Sequence, residues 1–146
     1  MNRRLLLLHG PNLNLLGERE PEIYGAATLD DYVARVTEVA AQHGLTVEAF
    51  QSNHEGDLID QIQAARGHHD AIIFNPGAFT HYAWGLHDAL AAFEGPIIEV
   101  HISHPQAREP WRHTSVVAPV ATGSIVGFGM LGYDLAVAAI VDRLST

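Results

Sequence analysis

Apolar and polar positions alternate along the chain in blocks that predict strands separated by helices. The apolar runs over Arg4–Leu8 and Ala71–Phe74 are typical of parallel strands that are covered on both faces. A further strand is predicted over Pro96–Ile102, where Ile97, Ile98, Val100 and Ile102 indicate a central position. The mixed segment Thr46–Ser52 predicts a half-exposed strand at the edge of the sheet. A fifth, short strand is predicted over Ser115–Ala118.

Apolar residues at helical spacing mark four helices between and after these strands. Thr28 is expected to be the N-cap of the first helix, with Asp31 as its capping-box partner. Thr80 is expected to cap the third helix. The last helix, predicted over Gly127–Leu144, is apolar on most faces, which suggests burial against another subunit.

This order of elements predicts one domain over residues 1–146 with a defined architecture. Strands that alternate with helices favour an open α/β sheet with helices on both sides. Five strands fit a flavodoxin-like three-layer sandwich whose parallel strands have the order 2-1-3-4-5. Ligands of such sheets bind beyond the carboxyl ends of the strands, so that edge is where a site is expected.

The connection between the first strand and the first helix is unusually long. Its residues, 9–25, include two Pro, three Gly and two Asn, which predicts a loop, whereas connections of about two to six residues are usual. Arg19 and Tyr24 lie near its tip. We interpret residues 17–26 as a lid that brings a catalytic base. A solvated loop whose tyrosine merely packs on the body is the alternative.

Composition excludes several kinds of chemistry. The 146 residues carry a net charge of −9, which argues against nucleic acid as a partner. There is no cysteine, and all eight basic residues are arginine, so neither a thiol nucleophile nor a lysine imine is available. The apolar runs are too short to span a membrane, and we expect a soluble, cytoplasmic protein.

Polar side chains follow several strands at the edge where a ligand is expected. Asn12, Asn75, His101 and Ser103 all come at or just after the carboxyl end of a predicted strand. Each asparagine alone is explained equally well as a turn residue. Their convergence on one crevice favours a binding site.

Glu99 and His101 form the most informative pair. They are two residues apart on a predicted central strand, so both side chains point to the same face. A buried carboxylate needs a partner, and a carboxylate that orients a histidine is a common acid/base arrangement. An edge glutamate in water, with a core histidine bonded to a carbonyl, is the alternative.

Two further patterns carry less information. His101 and His104 have a spacing found in metal sites, but no third ligand lies nearby in the sequence, so we expect no metal. Arg108 and Arg112 are four residues apart in the irregular segment after the fourth strand. They suggest either an anionic ligand or a surface ion pair with Glu109.

Taken together, the chain resembles the type II 3-dehydroquinate dehydratases, small enzymes of the shikimate pathway. The similarity extends over nearly the whole chain, with the blocks in the order found in the family. The blocks are Gly10–Gly17, Arg19–Pro21, Tyr24–Gly25, Gln51–Asn53, Asn75–Ala78, Thr80–His81, Glu99–Ser103, Arg108–Pro110, Arg112–His113, Gly123, Gly127 and Gly132–Tyr133.

The resemblance implies dehydration of 3-dehydroquinate to 3-dehydroshikimate through an enolate, without metal or organic cofactor. It implies that Tyr24 is the base that removes a proton from C2. Arg19, with Arg108 nearby, would stabilise the tyrosinate, and Asn12 would hold a water at the enolate oxygen. The absence of lysine agrees, because the unrelated type I enzymes need a lysine that forms an imine.

The same resemblance supplies the general acid and the anion site. His101, oriented by Glu99, would protonate the departing C1 hydroxyl. The backbone N–H groups of Ile102 and Ser103, together with Asn75, would hold the carboxylate of the substrate.

Further contacts and the assembly are also implied by the resemblance. His81 and Arg112 would bind ring hydroxyls, and Asp88 would reach in from a neighbouring subunit. The subunits would form a dodecamer of four trimers. The segment after Ser103, with Pro105 in it, departs from the usual family pattern, which leaves details of the pocket open.

Two other functions fit the same fold. A flavodoxin-like module that binds a nucleotide or FMN would need a phosphate-binding loop after the first strand, where this chain has Pro11 and Asn12. A non-catalytic assembly protein would not need Asn12, Arg19, Tyr24, Glu99 and His101 together.

Overall fold

The computed structural model describes residues 2–146, which form a five-stranded sheet flanked by helices. The strands are β1 (Arg3–His9), β2 (Leu45–Gln51), β3 (Ala71–Asn75), β4 (Ile97–His101) and β5 (Gly123–Val126). The helices are α1 (Pro21–Tyr24), α2 (Leu29–Ala41), α3 (Glu55–Ala65), α4 (Trp84–Ala91) and α5 (Gly129–Leu144).

The sheet has the order β2-β1-β3-β4-β5 and every pairing is parallel, which confirms the predicted flavodoxin-like fold. Alternate residues of β1 enter two separate cores. Leu5 and Leu7 pack in one core with α2 and α5, whereas Leu6 and Leu8 pack in the other with α3 and α4. The molecule therefore has three layers, with β2 at one edge of the sheet as predicted.

The side on which strands are added to the sheet reverses between β1 and β3. From β1 the sheet extends to β2 on one side, and all later strands are added on the other side. At this switch point His9 lies beside Asn75 across the two strands. Loops that leave neighbouring strand ends in opposite directions open a crevice between them, where ligands of this fold class bind.

The start of α2 follows the predicted capping box. The Asp31 backbone N–H donates to the Thr28 hydroxyl at 3.2 Å, and the Thr28 backbone N–H donates to the Asp31 carboxylate at 2.9 Å. Two otherwise unpaired donors at the helix start are thereby satisfied. This fixes where the preceding connection must end.

That long connection is more ordered than a plain loop. A short 3-10 segment covers Leu13–Leu15, and the residues before Tyr24 form the single turn of α1. Pro21 occupies the first helical position, where its missing N–H costs nothing. Tyr24 therefore projects from a helical turn.

The predicted fifth strand over Ser115–Ala118 was wrong. The two valines of that segment are buried without belonging to a strand. Val117 packs in the core, and the Val116 N–H donates to the Thr80 carbonyl at 2.7 Å. The strand β5 lies later, beside β4. The sequence pattern did not predict β5, because it is a short, partly exposed strand at the edge of the sheet.

The predicted N-cap of the third helix was also wrong. The N-cap of α4 is Ala83, and Thr80 lies in a 3-10 segment over Gly77–His81. The Thr80 side chain donates to the buried carboxylate of Glu99. The hydroxyl of Thr80 therefore serves as a donor to Glu99 at the end of the sheet and not as a helix cap.

The last helix begins at Gly129, two residues later than predicted. One side of α5 buries Tyr133 and Ile140 against the sheet. Phe128, Leu131 and Leu135 remain exposed in the single subunit. Within residues 2–146, no helix combines the length and apolar character that a membrane crossing requires.

Candidate active site

A cavity of about 200 Å³ lies at the carboxyl ends of β1, β3 and β4. It brings together most of the residues that the sequence singles out. They are Asn12, Arg19, Tyr24, Asn75, His81, His101, Ile102, Ser103, Arg108 and Arg112. Glu99 lies behind this wall, and Asp88 lies elsewhere on the surface.

Two guanidinium groups surround the hydroxyl and ring of Tyr24. Arg108 donates a hydrogen bond from Nη1 to the Tyr24 hydroxyl at 2.8 Å, and the same nitrogen lies 3.1 Å from the Ser103 hydroxyl. The guanidinium carbon of Arg19 lies 4.9 Å from the centre of the Tyr24 ring. The hydroxyl and the ring of Tyr24 are thus each in contact with a guanidinium group.

Arg19 also has an acidic neighbour. Its Nη2 donates to the Glu20 carboxylate at 3.0 Å, on the surface of the lid. Glu20 has a left-handed backbone with φ 41°, which is uncommon for a residue with a side chain. The ion pair thus belongs to the turn that carries α1, and it holds the Arg19 guanidinium beside Tyr24.

The cavity wall also includes His101, which is paired with a buried carboxylate. Its Nε2 lies 2.6 Å from Glu99 Oε2, as the spacing of the two residues predicted. The Glu99 side chain is 2% exposed, against 11% for His101. The carboxylate therefore faces the protein, and the histidine stands between it and the cavity.

Glu99 has two further donors that the sequence analysis missed. The Thr80 hydroxyl lies 2.5 Å from its Oε2, and the Ser115 hydroxyl lies 2.9 Å from its Oε1. Burial alone raises the pKa of Glu99, but hydrogen bonding to His101, its charge and the two hydroxyls together hold that pKa below its ordinary value. A buried carboxylate on a central strand needs several hydrogen-bond donors. That requirement could have indicated from the sequence that Glu99 has donors besides His101.

Asn12 reaches the cavity from a strained position. Its backbone is left-handed, with φ 67°. The Asn12 N–H donates to Asn53 Oδ1 at 2.9 Å, and Gln51 donates to the same oxygen at 3.2 Å. Asparagine tolerates this conformation better than most residues. The loop after β1 is thus held by side chains at the end of β2.

His81 and Arg112 form the rim of the cavity. His81 Nδ1 donates to the Thr114 carbonyl at 2.7 Å, which leaves Nε2 as an acceptor. Burial lowers the pKa of His81, although the bond to Thr114 raises it. Arg112 donates to Glu109 at 3.2 Å and lies over the ring of Trp111. Arg112 therefore both forms the predicted ion pair with Glu109 and lines the cavity.

Asp88 is not part of the cavity of its own chain. Its side chain is 85% exposed on α4, beside His87 at 3.0 Å. In the part of the chain from residue 2 onwards, no three His, Cys, Asp or Glu side chains are placed to share a metal ion, so the spacing of His101 and His104 gains no third ligand.

These features define a class of protein. The fold is a flavodoxin-like α/β sandwich, and its strand-end cavity holds acid/base side chains. A phenol in contact with two guanidinium groups and a histidine paired with a carboxylate line the same cavity. Proteins of this class with such a cavity are suited to proton transfer at a bound anion.

The chain belongs to the class II dehydroquinase family, whose model matches residues 3–141. A 3-dehydroquinate dehydratase of Anoxybacillus flavithermus is 56% identical over 141 residues, which cover 97% of this chain and 95% of that protein. A catabolic 3-dehydroquinase of Penicillium rubens is 54% identical and covers 94% of this chain and 88% of its own length. The solved structure of a type II dehydroquinase from Propionibacterium acnes has a TM-score of 0.93 and 43% identity, covering 97% of this chain and 98% of that one.

Proposed function

We propose that this enzyme dehydrates 3-dehydroquinate to 3-dehydroshikimate by an anti elimination through an enolate. The relatives named above carry the corresponding activity in their names. One observation in the chain itself carries the proposal: the Tyr24 hydroxyl, bonded to Arg108, shares a cavity with the His101–Glu99 pair. A base and an acid thus border the same small volume.

Tyr24 is the base in this proposal. As tyrosinate it takes a proton from C2, which is acidic because the neighbouring ketone can accept the electrons of the broken C–H bond. Arg108 and Arg19 stabilise the phenolate charge. Asn12 holds a water that donates to the enolate oxygen, and the support from Asn53 keeps Asn12 at the wall of the cavity.

His101 is the general acid. It gives a proton to the C1 hydroxyl. The enolate oxygen reforms the ketone, the electron pair of the C2=C3 bond forms the C1=C2 double bond, and the C1–O bond breaks, so that water leaves. The Glu99 carboxylate orients the ring and stabilises its protonated form. At the end of the cycle Tyr24 holds one proton too many and His101 one too few, and a proton transfer between them through solvent restores both.

The remaining predicted residues bind the substrate. Asn75 and the backbone N–H groups of Ile102 and Ser103 hold the carboxylate at the end of β4. His81 and Arg112 bind ring hydroxyls from the rim, where Nε2 of the neutral histidine accepts a hydrogen bond.

Closure of the lid precedes the chemistry. Residues 17–26 include Arg19 and Tyr24, and positive backbone φ angles at Gly17 and Gly25 bound the segment. Closing brings the base onto the substrate and excludes water, which strengthens the charge interactions of both arginines.

The assembly belongs to the same proposal. The subunits form a dodecamer of four trimers, in which Asp88 of one subunit reaches the site of a neighbour. Its high exposure in the single chain supports this role, and the exposed apolar residues at the start of α5, Phe128, Leu131 and Leu135, support burial against another copy. A cytoplasmic location stays a prediction.

The experiment that tests the activity is an ultraviolet assay, since the product is a conjugated enone and the substrate is not. Purified protein should generate this absorbance from 3-dehydroquinate, while Tyr24→Phe should fold normally and show no turnover. Borohydride added with substrate should leave the enzyme active, because a chain without lysine side chains cannot form the side-chain imine that reduction would trap. Full activity of Tyr24→Phe would contradict the assignment of the base.

A further inference from the structure

The side-chain amide of Asn75 is held in one orientation by its neighbours. Its Oδ1 accepts a hydrogen bond from the Gly77 backbone N–H at 3.1 Å, and its Nδ2 donates to the Tyr133 hydroxyl at 3.0 Å. A backbone N–H can only donate, so the amide oxygen must face Gly77. The nitrogen carries a second hydrogen, and Asn75 borders the cavity.

Behind Asn75 the hydrogen bonds continue into the core. The Tyr133 hydroxyl, which accepts from Asn75, lies 2.9 Å from His9 Nε2. Burial lowers the pKa of His9 to about 3, so the ring is neutral at physiological pH. Nε2 then accepts the phenolic hydrogen and Nδ1 carries the ring proton. Asn75 thus donates to Tyr133, and Tyr133 donates to His9.

Tyr133 and His9 are polar side chains in fully buried positions, which apolar residues usually occupy. Tyr133 is completely buried on α5 and His9 is buried at the end of β1, and neither borders the cavity. Phenylalanine and leucine would fill the same space without burying polar groups, whose burial costs stability unless each is bonded. Both are bonded only toward Asn75 and each other among the side-chain contacts of residues 2–146.

We propose that Tyr133 and His9 are positioning residues that fix Asn75 as a hydrogen-bond donor to the anionic group of the substrate. The inference rests on the proposed function, which supplies a carboxylate as that group. An amide that turned over would present its oxygen to the carboxylate, and the two acceptors would repel each other. Tyr133 prevents this because its hydrogen is engaged by His9, which leaves the phenol oxygen able only to accept from Asn75.

The first test separates positioning from packing. Tyr133→Phe should raise KM for 3-dehydroquinate about 10-fold, the usual effect of one hydrogen bond, with a much smaller change in kcat. Val137→Ala, on the same helix and equally buried, should lower thermal stability but leave KM unchanged. In an Asn75→Ala background, Tyr133→Phe should raise KM no further, because it acts through that amide. An unchanged KM, or effects that multiply, would overturn the inference.

The second test uses His9 and remains usable if Tyr133→Phe does not fold. His9→Leu should raise KM in the same way, whereas His9→Gln, whose side-chain oxygen can accept from Tyr133, should restore most of the loss. Nitrogen NMR of the wild-type imidazole should show the proton on Nδ1; a proton on Nε2 would overturn the inference. A wild-type protein without dehydratase activity would instead contradict the proposed function, whereas active enzyme with normal KM in both His9→Leu and Tyr133→Phe would contradict only this inference.

Discussion

The Arg108 guanidinium donates to the Tyr24 hydroxyl at 2.8 Å, although the two residues are separated by 84 positions in the chain. Tyr24 comes from the turn of α1, and Arg108 ends a 3-10 segment that follows β4. The contact therefore joins the segment of residues 17–26 to the body of the protein. In the proposed mechanism, the body supplies the positive charge that the base requires.

Arg108→Gln should lower kcat about 100-fold, because glutamine keeps a hydrogen-bond donor but loses the positive charge that stabilises a phenolate. The enone assay measures this loss of kcat. Arg66→Gln, an exposed arginine at the end of α3, is the matched control and should behave as wild type. A wild-type kcat in Arg108→Gln would show that Arg108 does not act on the base.

The sequence could predict the His101–Glu99 pair because both residues belong to one strand with a period of two. It could not predict that Thr80 and Ser115 complete the same network. Thr80 lies 19 residues from Glu99 and Ser115 lies 16 residues from it, in segments without regular periodicity. From the local sequence, Thr80 was predicted to be a helix cap and Ser115 to lie in a strand. In the structure both hydroxyls instead bond to the Glu99 carboxylate at the end of the sheet.

The central strands were predictable for a similar reason. The core of β1, Leu5–Leu8, is apolar throughout because it is covered on both faces. By contrast, β5 over Gly123–Val126 is short and partly exposed, and only its pairing with β4 makes it a strand. A local sequence pattern indicates that a strand is buried on both faces. It does not indicate which other strand a short, exposed segment pairs with.

Loss of a hydroxyl beside Glu99 should weaken the general acid. Ser115→Ala and Thr80→Val should each lower kcat about 10-fold, since the Glu99 carboxylate loses a donor that lowers its pKa and holds it in place for His101. Ser124→Ala is the matched control, because Ser124 lies beside Glu99 on β5 and its side chain does not bond to the carboxylate. Equal kcat values in Ser115→Ala, Thr80→Val and the control would show that the two hydroxyls serve packing alone.

Buried His9 should make the fold sensitive to acid. The pKa of His9 in the folded protein is about 3, against 6.5 in the unfolded chain. Because the folded value is the lower one, the unfolded chain binds the proton first, and stability is lost as the pH falls from 6.5 toward 3. The loss is about 1.4 kcal/mol per pH unit.

Denaturant titrations of wild type and His9→Gln between pH 4 and 7.5 should reveal this term as a difference between the two. The free energy of unfolding of the wild type should fall more steeply below pH 6.5, while other groups, including Glu99, cancel in the comparison. Parallel curves for the two proteins would mean that His9 titrates alike in both states.

Gly10 should be irreplaceable where β1 and β3 separate. A Cβ at Gly10 would lie 2.2 Å from the Pro76 carbonyl oxygen, and both partners are backbone, so neither can turn away. The Gly10 N–H also donates to the Asn75 carbonyl at 2.8 Å, at the mouth of the crevice. Gly10→Ala should therefore force the two strand ends apart and cost about 3 kcal/mol of unfolding free energy or more. It should also displace Asn12 and Asn75, so the enone assay should show a loss of turnover beyond that explained by unfolded protein.

Gly56 provides the opposite case within the same chain. It lies in the first turn of α3, and a Cβ there would meet no atom within 4 Å. Gly56→Ala should raise the free energy of unfolding by about 0.5–1 kcal/mol, because alanine has less backbone freedom to lose and no neighbour to displace. Chemical denaturation of both variants measures the contrast. If Gly10→Ala proved as stable and as active as Gly56→Ala, the close approach of the β1 and β3 ends would not be what holds Asn12 and Asn75 at the cavity.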